Sequence, residues 1–293
     1  MNPRLRLICA AALFSTAGAA IKWCQFGAWQ IAAFRGLVAG VTILLLIPAA
    51  RRGWSWRAAA VGLAYAGAGI FFVLANKLTT AANTVFLQAT NPLYILLLAP
   101  WILHERPSRG DLLYMAAVAS GLVLLFSGAP RHFATAPDPR LGNILAEGSA
   151  VCWALTVIGY RWIARGARDA RGAVASAAAT GNFMVFALAL PFALPLAAGR
   201  AADWATVAYL GVFQLGVAYV FLSRAIPHVP ALAASLVMLV EPVLNPIWAW
   251  LVHGETPAPL ALGGGLVILG ATVVKTLQDA RTALPAPVPV LEP

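Results

Sequence analysis

EPVLNPIWAWLVHGETP, residues 241–257, follows the plan of NPLYILLLAPWILHERP, residues 91–107. At a constant offset of 150, Glu241-Pro242 stands over Asn91-Pro92, and Glu255-Thr256-Pro257 over Glu105-Arg106-Pro107. Both copies close an apolar run rich in Trp and Leu. Similarity at a fixed offset marks a duplicated architecture.

Outward from these stretches the chain stays apolar. Hydrophobic residues make up 61% of its 293 positions and charged residues 10%, with a mean hydropathy of +0.82, whereas about a quarter of a soluble domain is charged. A soluble reading is excluded on composition. Runs of roughly 20 apolar residues, the length that crosses a bilayer, fall at 6–24, 29–50, 57–77, 81–103, 110–128, 142–164, 172–197, 203–224, 230–253 and 259–277. An all-α, polytopic membrane protein of ten transmembrane helices is expected. Arg4 and Arg6 ahead of Ala17-Gly18-Ala19-Ala20 also fit a cleavable signal peptide; removing it leaves nine spans and breaks the duplication, so the first span is retained. The Pro-rich tail, 283–293, is expected to be disordered.

The net charge of +10 records topology rather than nucleic-acid binding, because Lys and Arg gather on the cytoplasmic side of a membrane protein. With the N-terminus inside, fourteen of the twenty basic residues lie on cytoplasmic segments. Both termini are thereby predicted cytoplasmic. Cys9, Cys24 and Cys152 show no metal-ligand spacing and read as small hydrophobes; neither metal nor cofactor is expected.

The matching stretches belong to the fourth and ninth spans, five crossings apart. An odd number of crossings reverses direction, so the halves, 1–139 and 140–282, form two five-helix inverted-topology repeats, an arrangement that places a substrate site in a central cavity near the midplane. Outside spans four and nine the correspondence is thinner: Pro48 and Pro191 end second spans, and Phe14 and Trp153 hold similar places in first spans.

Ten spans in two halves, each with a late apolar helix running into a Glu-x-Pro turn and then a Gly-rich last helix, resemble the EamA branch of the drug/metabolite transporter superfamily. Arg35, early in the second span, fits the resemblance, which covers essentially the whole chain; within the branch the chain resembles bacterial amino-acid exporters of the YddG type. The resemblance implies a ten-helix basket with alternating access in a bacterial inner membrane.

Residues for such a task can be read from helical spacing. Glu241, Asn245 and Trp248 share one face of span nine, where Pro242 and Pro246 free carbonyls that only protein or a wet cavity can satisfy. A carboxylate there suits a substrate ammonium or a proton, or else locks packing. By the same offset Thr84, Gln88 and Asn91 answer Ala234, Met238 and Glu241. Tyr65, Gly69, Phe72 and Asn76 form a stripe on span three, with Lys77 beyond it expected to snorkel. Ser15, Gly18 and Lys22 share a face of span one. Glu147, Trp153 and Tyr160 lie on span six, and Gln214 and Tyr219 on span eight. Arg35 is expected to pair with a carboxylate such as Asp111 or Glu147. Glu105 and Glu255 read as caps of the helices after Pro107 and Pro257, while Gly36, Gly40, Gly263, Gly264, Gly265 and Gly270 permit close helix approach.

A secondary transporter exporting small metabolites, most of all amino acids, is the expected function. Its substrate would set an apolar side chain against Trp153, Tyr160, Trp248 or Phe72 and its charges against Glu241, Asn91, Gln88 and Asn245, with Asn76, Gln214 and Ser15 completing the set. A proton is a candidate second passenger. No Gly-rich loop with Lys is present to make ATP the energy source. An intramembrane enzyme would require an acid/base or metal cluster at depth, and a passive channel a repeated filter; neither pattern is found.

Overall fold

The computed structural model describes residues 1–102, 108–127, 133–167, 169–225, 228–229 and 237–282. The Glu105-Arg106-Pro107 turn and the 283–293 tail lie outside the described residues. Eight helical stretches are long and apolar enough to cross a membrane: Pro3–Trp23, Ala28–Leu46, Trp56–Leu78, Arg109–Ser127, Pro139–Gly166, Ala170–Ala193, Ala201–Ala225 and Pro259–Gln278. They coincide with eight of the ten expected spans. The first is α1 (Pro3–Ser15) and α2 (Ala17–Trp23), bent at Thr16, whose hydroxyl donates to the Leu13 carbonyl at 2.7 Å. The whole helices are α3 (Ala28–Leu46), α4 (Trp56–Leu78), α7 (Arg109–Ser127), α8 (Pro139–Gly166), α9 (Ala170–Ala193) and α13 (Pro259–Thr282). The eighth predicted span joins α10 (Ala201–Tyr209), a π-helical segment Leu210–Val217 and α11 (Ala218–Ala225).

Helix starts are written in the sequence. Ser55, Asp138 and Asp169 accept from the backbone amides of Ala58, Leu141 and Gly172, so α4, α8 and α9 begin with one otherwise orphaned donor satisfied.

The two remaining spans are the ones that carry the repeated stretch, and the fourth is broken. α5 (Ala81–Gln88) stops and α6 (Asn91–Ile102) resumes after a turn at Ala89-Thr90. In the ninth, α12 (Val240–His253) follows a turn at Leu239. Ala89 and Leu239, themselves 150 apart, have φ −66° and ψ −6°, and φ −66° and ψ −10°. The common cause is proline: Pro92 and Pro242 have no N–H to give to the carbonyl four residues earlier. In the first copy Asn91 Nδ2 takes over that role, donating to the Gln88 carbonyl at 3.0 Å.

Around these breaks α3 packs on α9, α4 on α8 and α9, α7 on α13, and α1 on α11 and α12. Gly36 is needed for the first pairing, because a Cβ there would stand 2.7 Å from the Asn182 carbonyl. Gly36→Ala is expected to destabilise the protein by about 1–3 kcal/mol, read as a lower melting temperature in detergent. Of the glycines in α13, Gly264 crosses α7 against Gly121 and Gly265 meets Phe86, but Gly263 and Gly270 face open space. The expectation of close approach is corrected for those two.

Candidate functional site

α4 carries the centre. Tyr65, Phe72 and Asn76 are buried along one face of it, as their spacing required. Around Tyr65 stand Trp153 from α8, with ring centroids 6.1 Å apart, and Tyr219 from α11, at 6.4 Å. Phe14 meets Tyr219 edge-on at 5.8 Å. Asn182 of α9 donates from Nδ2 to the Tyr65 hydroxyl at 3.1 Å and to its own helix at Ala178. Arg35, near the middle of α3, lays its guanidinium over Phe72 at 5.8 Å and has the Tyr65 and Tyr219 hydroxyls as electrostatic neighbours. Tyr160 joins the same aromatic cluster from α8.

This region is polar and incompletely satisfied. Arg35 Nη1, Gln214 Oε1, Asn76 Oδ1 and both amide atoms of Asn245 are buried with no hydrogen-bond partner among the described residues, while the Tyr160 hydroxyl faces that of Tyr219. Buried polar atoms are nearly always paired, and each one left alone costs about 1–3 kcal/mol. Gln214 sits on the π-helical segment, a distortion frequent at functional sites; Gly211 and Gly216 seat that segment against Val38 and Thr42 of α3. Asn76 and Asn245 meet around Gly18, where a Cβ would lie 3.1 Å from Asn76 Oδ1 and 2.5 Å from Asn245 Oδ1.

The expected site residues thus divide into groups. Phe72, Trp153 and Tyr160 belong to the Arg35 cluster, and Asn76 and Asn245 to the cleft around Gly18. Glu241, one turn before Asn245, is half-buried and has no partner among the described residues. Gln88 and Asn91 lie at the first break, where Gln88 Nε2 donates to Ser149 Oγ at 3.0 Å. Glu147 holds the same break, accepting from Thr90 Oγ1 at 3.0 Å and from the Tyr94 hydroxyl. Ser15 and Trp248 are joined to each other, indole Nε1 to Oγ at 3.0 Å, tying α1 to α12.

Three expectations are corrected. Arg35 pairs with neither Asp111 nor Glu147: Asp111 Oδ1 is 2.9 Å from Lys275 Nζ, and Glu147 is engaged as above. Lys77 does not snorkel; its Nζ donates to the Cys24 carbonyl at 2.5 Å. Glu255 is bonded away from the helix after Pro257, at the start of α5 and on Lys22. It is 2% exposed and bonded to Lys22 at 2.8 Å. Its carboxylate also accepts from Ala81 N at 2.9 Å and Thr135 Oγ1 at 2.5 Å, while Lys22 Nζ donates to the carbonyls of Thr79 and Thr135 at 2.7 and 2.6 Å. This knot lies at the end of the bundle at which α2, α4 and α12 finish. Two cavities lie elsewhere: one of about 480 Å³ at the starts of α4 and α9, and one of about 450 Å³ between α2, α10 and α12 that Trp248 borders.

Arg35, Tyr65, Asn182 and Tyr219 form the centre that spacing did not assemble. Arg35 was visible as a charge within a span, which is costly enough to mark function by itself, at roughly 2.5–3.5 kcal/mol on insertion scales. Asn182 gave no signal, because a single Asn in an Ala-rich helix reads as packing.

A multi-pass helical membrane protein with a polar centre walled by aromatic rings has the build of a small-molecule transporter. The EamA-like transporter family model matches residues 5–127 and 140–276, and the chain belongs to that family. It is a membrane transporter and not an enzyme. It is 26% identical over 257 residues to the uncharacterized transporter YwfM of Bacillus subtilis (strain 168), covering 83% of this chain and 82% of that protein. It is 24% identical over 205 residues to the uncharacterized transporter YyaM of the same strain, covering 70% and 67%. A crystal structure 21% identical to it superposes with a TM-score of 0.63 over 95% of this chain and 98% of the other, a likeness of fold.

Proposed function

We propose that this transporter is a bacterial inner-membrane exporter of small metabolites, amino acids foremost, working by alternating access between two inverted five-helix halves with both termini cytoplasmic. The observation that carries the reading is a set of buried polar atoms without partners among the described residues: Arg35 Nη1 beside the aromatic side chains of Phe72, Tyr65 and Tyr219, Gln214 Oε1 on the π-helical segment, and the Asn245 amide in the cleft around Gly18. A zwitterion with an apolar side chain supplies what such a set lacks: an anion, a cation and a hydrophobic body. The matching turns at Ala89 and Leu239, and the match of the family to one stretch in each half, support the two-half arrangement. The pairing of helices supports it as well, since α3 on α9 and α7 on α13 bring second to seventh and fifth to tenth span, as a two-fold relation requires.

Transport follows from one closed end opening while the other closes. We take the buried Lys22–Glu255 knot as the gate at one end. Reconstituted in liposomes, the protein is expected to exchange labelled aromatic or branched amino acids across the bilayer, and to accumulate them against an imposed pH gradient if a proton is the second passenger. Failure to move any amino acid, with or without the gradient, defeats the reading.

A further inference from the structure

Arg35 carries a full positive charge at 6% exposure with no carboxylate beside it among the described residues. The other carboxylates whose side chains are described make contacts of their own, Glu147 through one oxygen. Asp111 holds Lys275, Glu147 holds Tyr94 and Thr90, Asp203 holds Arg200, and Glu255 holds Lys22. Asp138 and Asp169 cap α8 and α9. Glu241, on α12, is not among the charges that act on Arg35.

A guanidinium stays protonated in proteins, so the cost of its burial is relieved by an anion and not by losing a proton. Several kcal/mol are at stake for an unpaired buried ion. The polar groups next to it are hydroxyls. The Tyr65 oxygen accepts from Asn182, and the hydroxyls of Tyr65, Tyr219 and Tyr160 are linked in a row, Tyr219 bonding to both others; three hydroxyls share two bonds, which leaves one proton to donate. Arg35 Nη1 has no acceptor at all. On the other sides are ring faces and edges: Phe72 under the guanidinium, Trp153 against Tyr65 and Phe14 against Tyr219.

We infer that Arg35, with the hydroxyls of Tyr65 and Tyr219, is the carboxylate-binding subsite of the transport path, and that the substrates are small carboxylates whose apolar part rests on Phe72, Trp153 and Phe14. The inference rests on the transporter reading above and narrows its substrate class. It separates two roles: the carboxylate is held from α3, α4 and α11, and an ammonium, where the substrate has one, from Glu241 on α12. The fork of a guanidinium suits a carboxylate because two parallel N–H···O bonds form at once.

The test compares pairs that differ only in the acid. Phenylalanine, 3-phenylpropionate, phenylalaninamide and phenethylamine, with leucine and leucinamide as a second pair, are titrated against the purified full-length protein by thermal shift and by intrinsic tryptophan fluorescence. The carboxylates are expected to bind and the amides and amine to bind at least about tenfold more weakly, the loss that goes with removing a hydrogen bond to a charged group. Arg35→Gln is expected to erase the difference and Arg35→Lys to keep part of it. Should Arg35→Gln not fold, the wild-type series decides alone. Carboxylates no better than their amides in the wild type overturn the inference. Exchange of amino acids and their amides at equal rates in liposomes overturns it too while leaving the exporter reading intact. Carboxylate-selective binding without amino-acid exchange removes the exporter reading and keeps the subsite.

Discussion

Lys22→Met is expected to cost about 3–5 kcal/mol, because it strands the Glu255 carboxylate in a site that water does not reach. The pair is 1% and 2% exposed at its side chains, so neither partner is screened as a surface ion would be. With Lys22 gone, Glu255 keeps, among the described residues, the Ala81 amide and the Thr135 hydroxyl. Glu255→Gln leaves Lys22 in the corresponding position, bonded to two carbonyls and no anion. The double substitution to Met and Met is expected to recover most of the loss, since well-packed apolar replacements of buried pairs are often neutral. Melting temperatures of the three variants in detergent give the comparison. A second readout follows opening: Cys24, fully buried at the end of α2 two residues after Lys22, is expected to react with an impermeant maleimide in the single variants and to resist it in the wild type. Single variants as stable as the wild type, with Cys24 still protected, show that the pair does not hold the end shut.

Glu241→Gln is expected to abolish net transport driven by a pH gradient and to leave exchange of substrate for substrate in place. Glu241 occupies the position that Asn91 holds in the first copy of the repeated stretch. Asn91 always has a donor for the carbonyl its proline frees, and uses it on Gln88. A glutamate has that donor only while protonated. Protonated, Glu241 can serve the carbonyl freed by Pro242 as Asn91 serves its own; ionised, it is open to an ammonium. Glutamine is fixed in the first condition. A charge-assisted contact of about 1.5–3 kcal/mol is lost with the charge, which corresponds to roughly tenfold to a hundredfold in affinity for an ammonium-bearing substrate. Uptake by liposomes with and without a pH step measures both effects, and unaltered gradient dependence refutes the coupling role.

The fold was legible because its signals are long. Runs of twenty apolar residues and an offset repeated from Asn91 to Glu255 survive any local ambiguity, and eight of the ten predicted crossings recur as single helical stretches. The prolines announced the breaks in spans four and nine, though not that Asn91 would close one of them. The site was legible by residue type and poorly by partner. Phe72, Asn76 and Tyr160 lie where the stripes placed them, whereas Trp248 spends its indole N–H on Ser15. Periodicity reports which face of a helix a residue occupies and is silent on the helix opposite. For that reason Arg35 was assigned a carboxylate it does not have, and Lys22 and Glu255, more than two hundred residues apart in sequence, were not seen as one contact.

The two proline breaks differ mechanically. The first is clamped, with Thr90 and Tyr94 held by Glu147, Gln88 by Ser149 and the loose carbonyl by Asn91. At the second, Glu241 has no such attachment among the described residues. Among the described residues the first joint is therefore braced against α8, while the arm beyond the second, which bears the ionisable group, is tied to α1 by the Ser15–Trp248 contact.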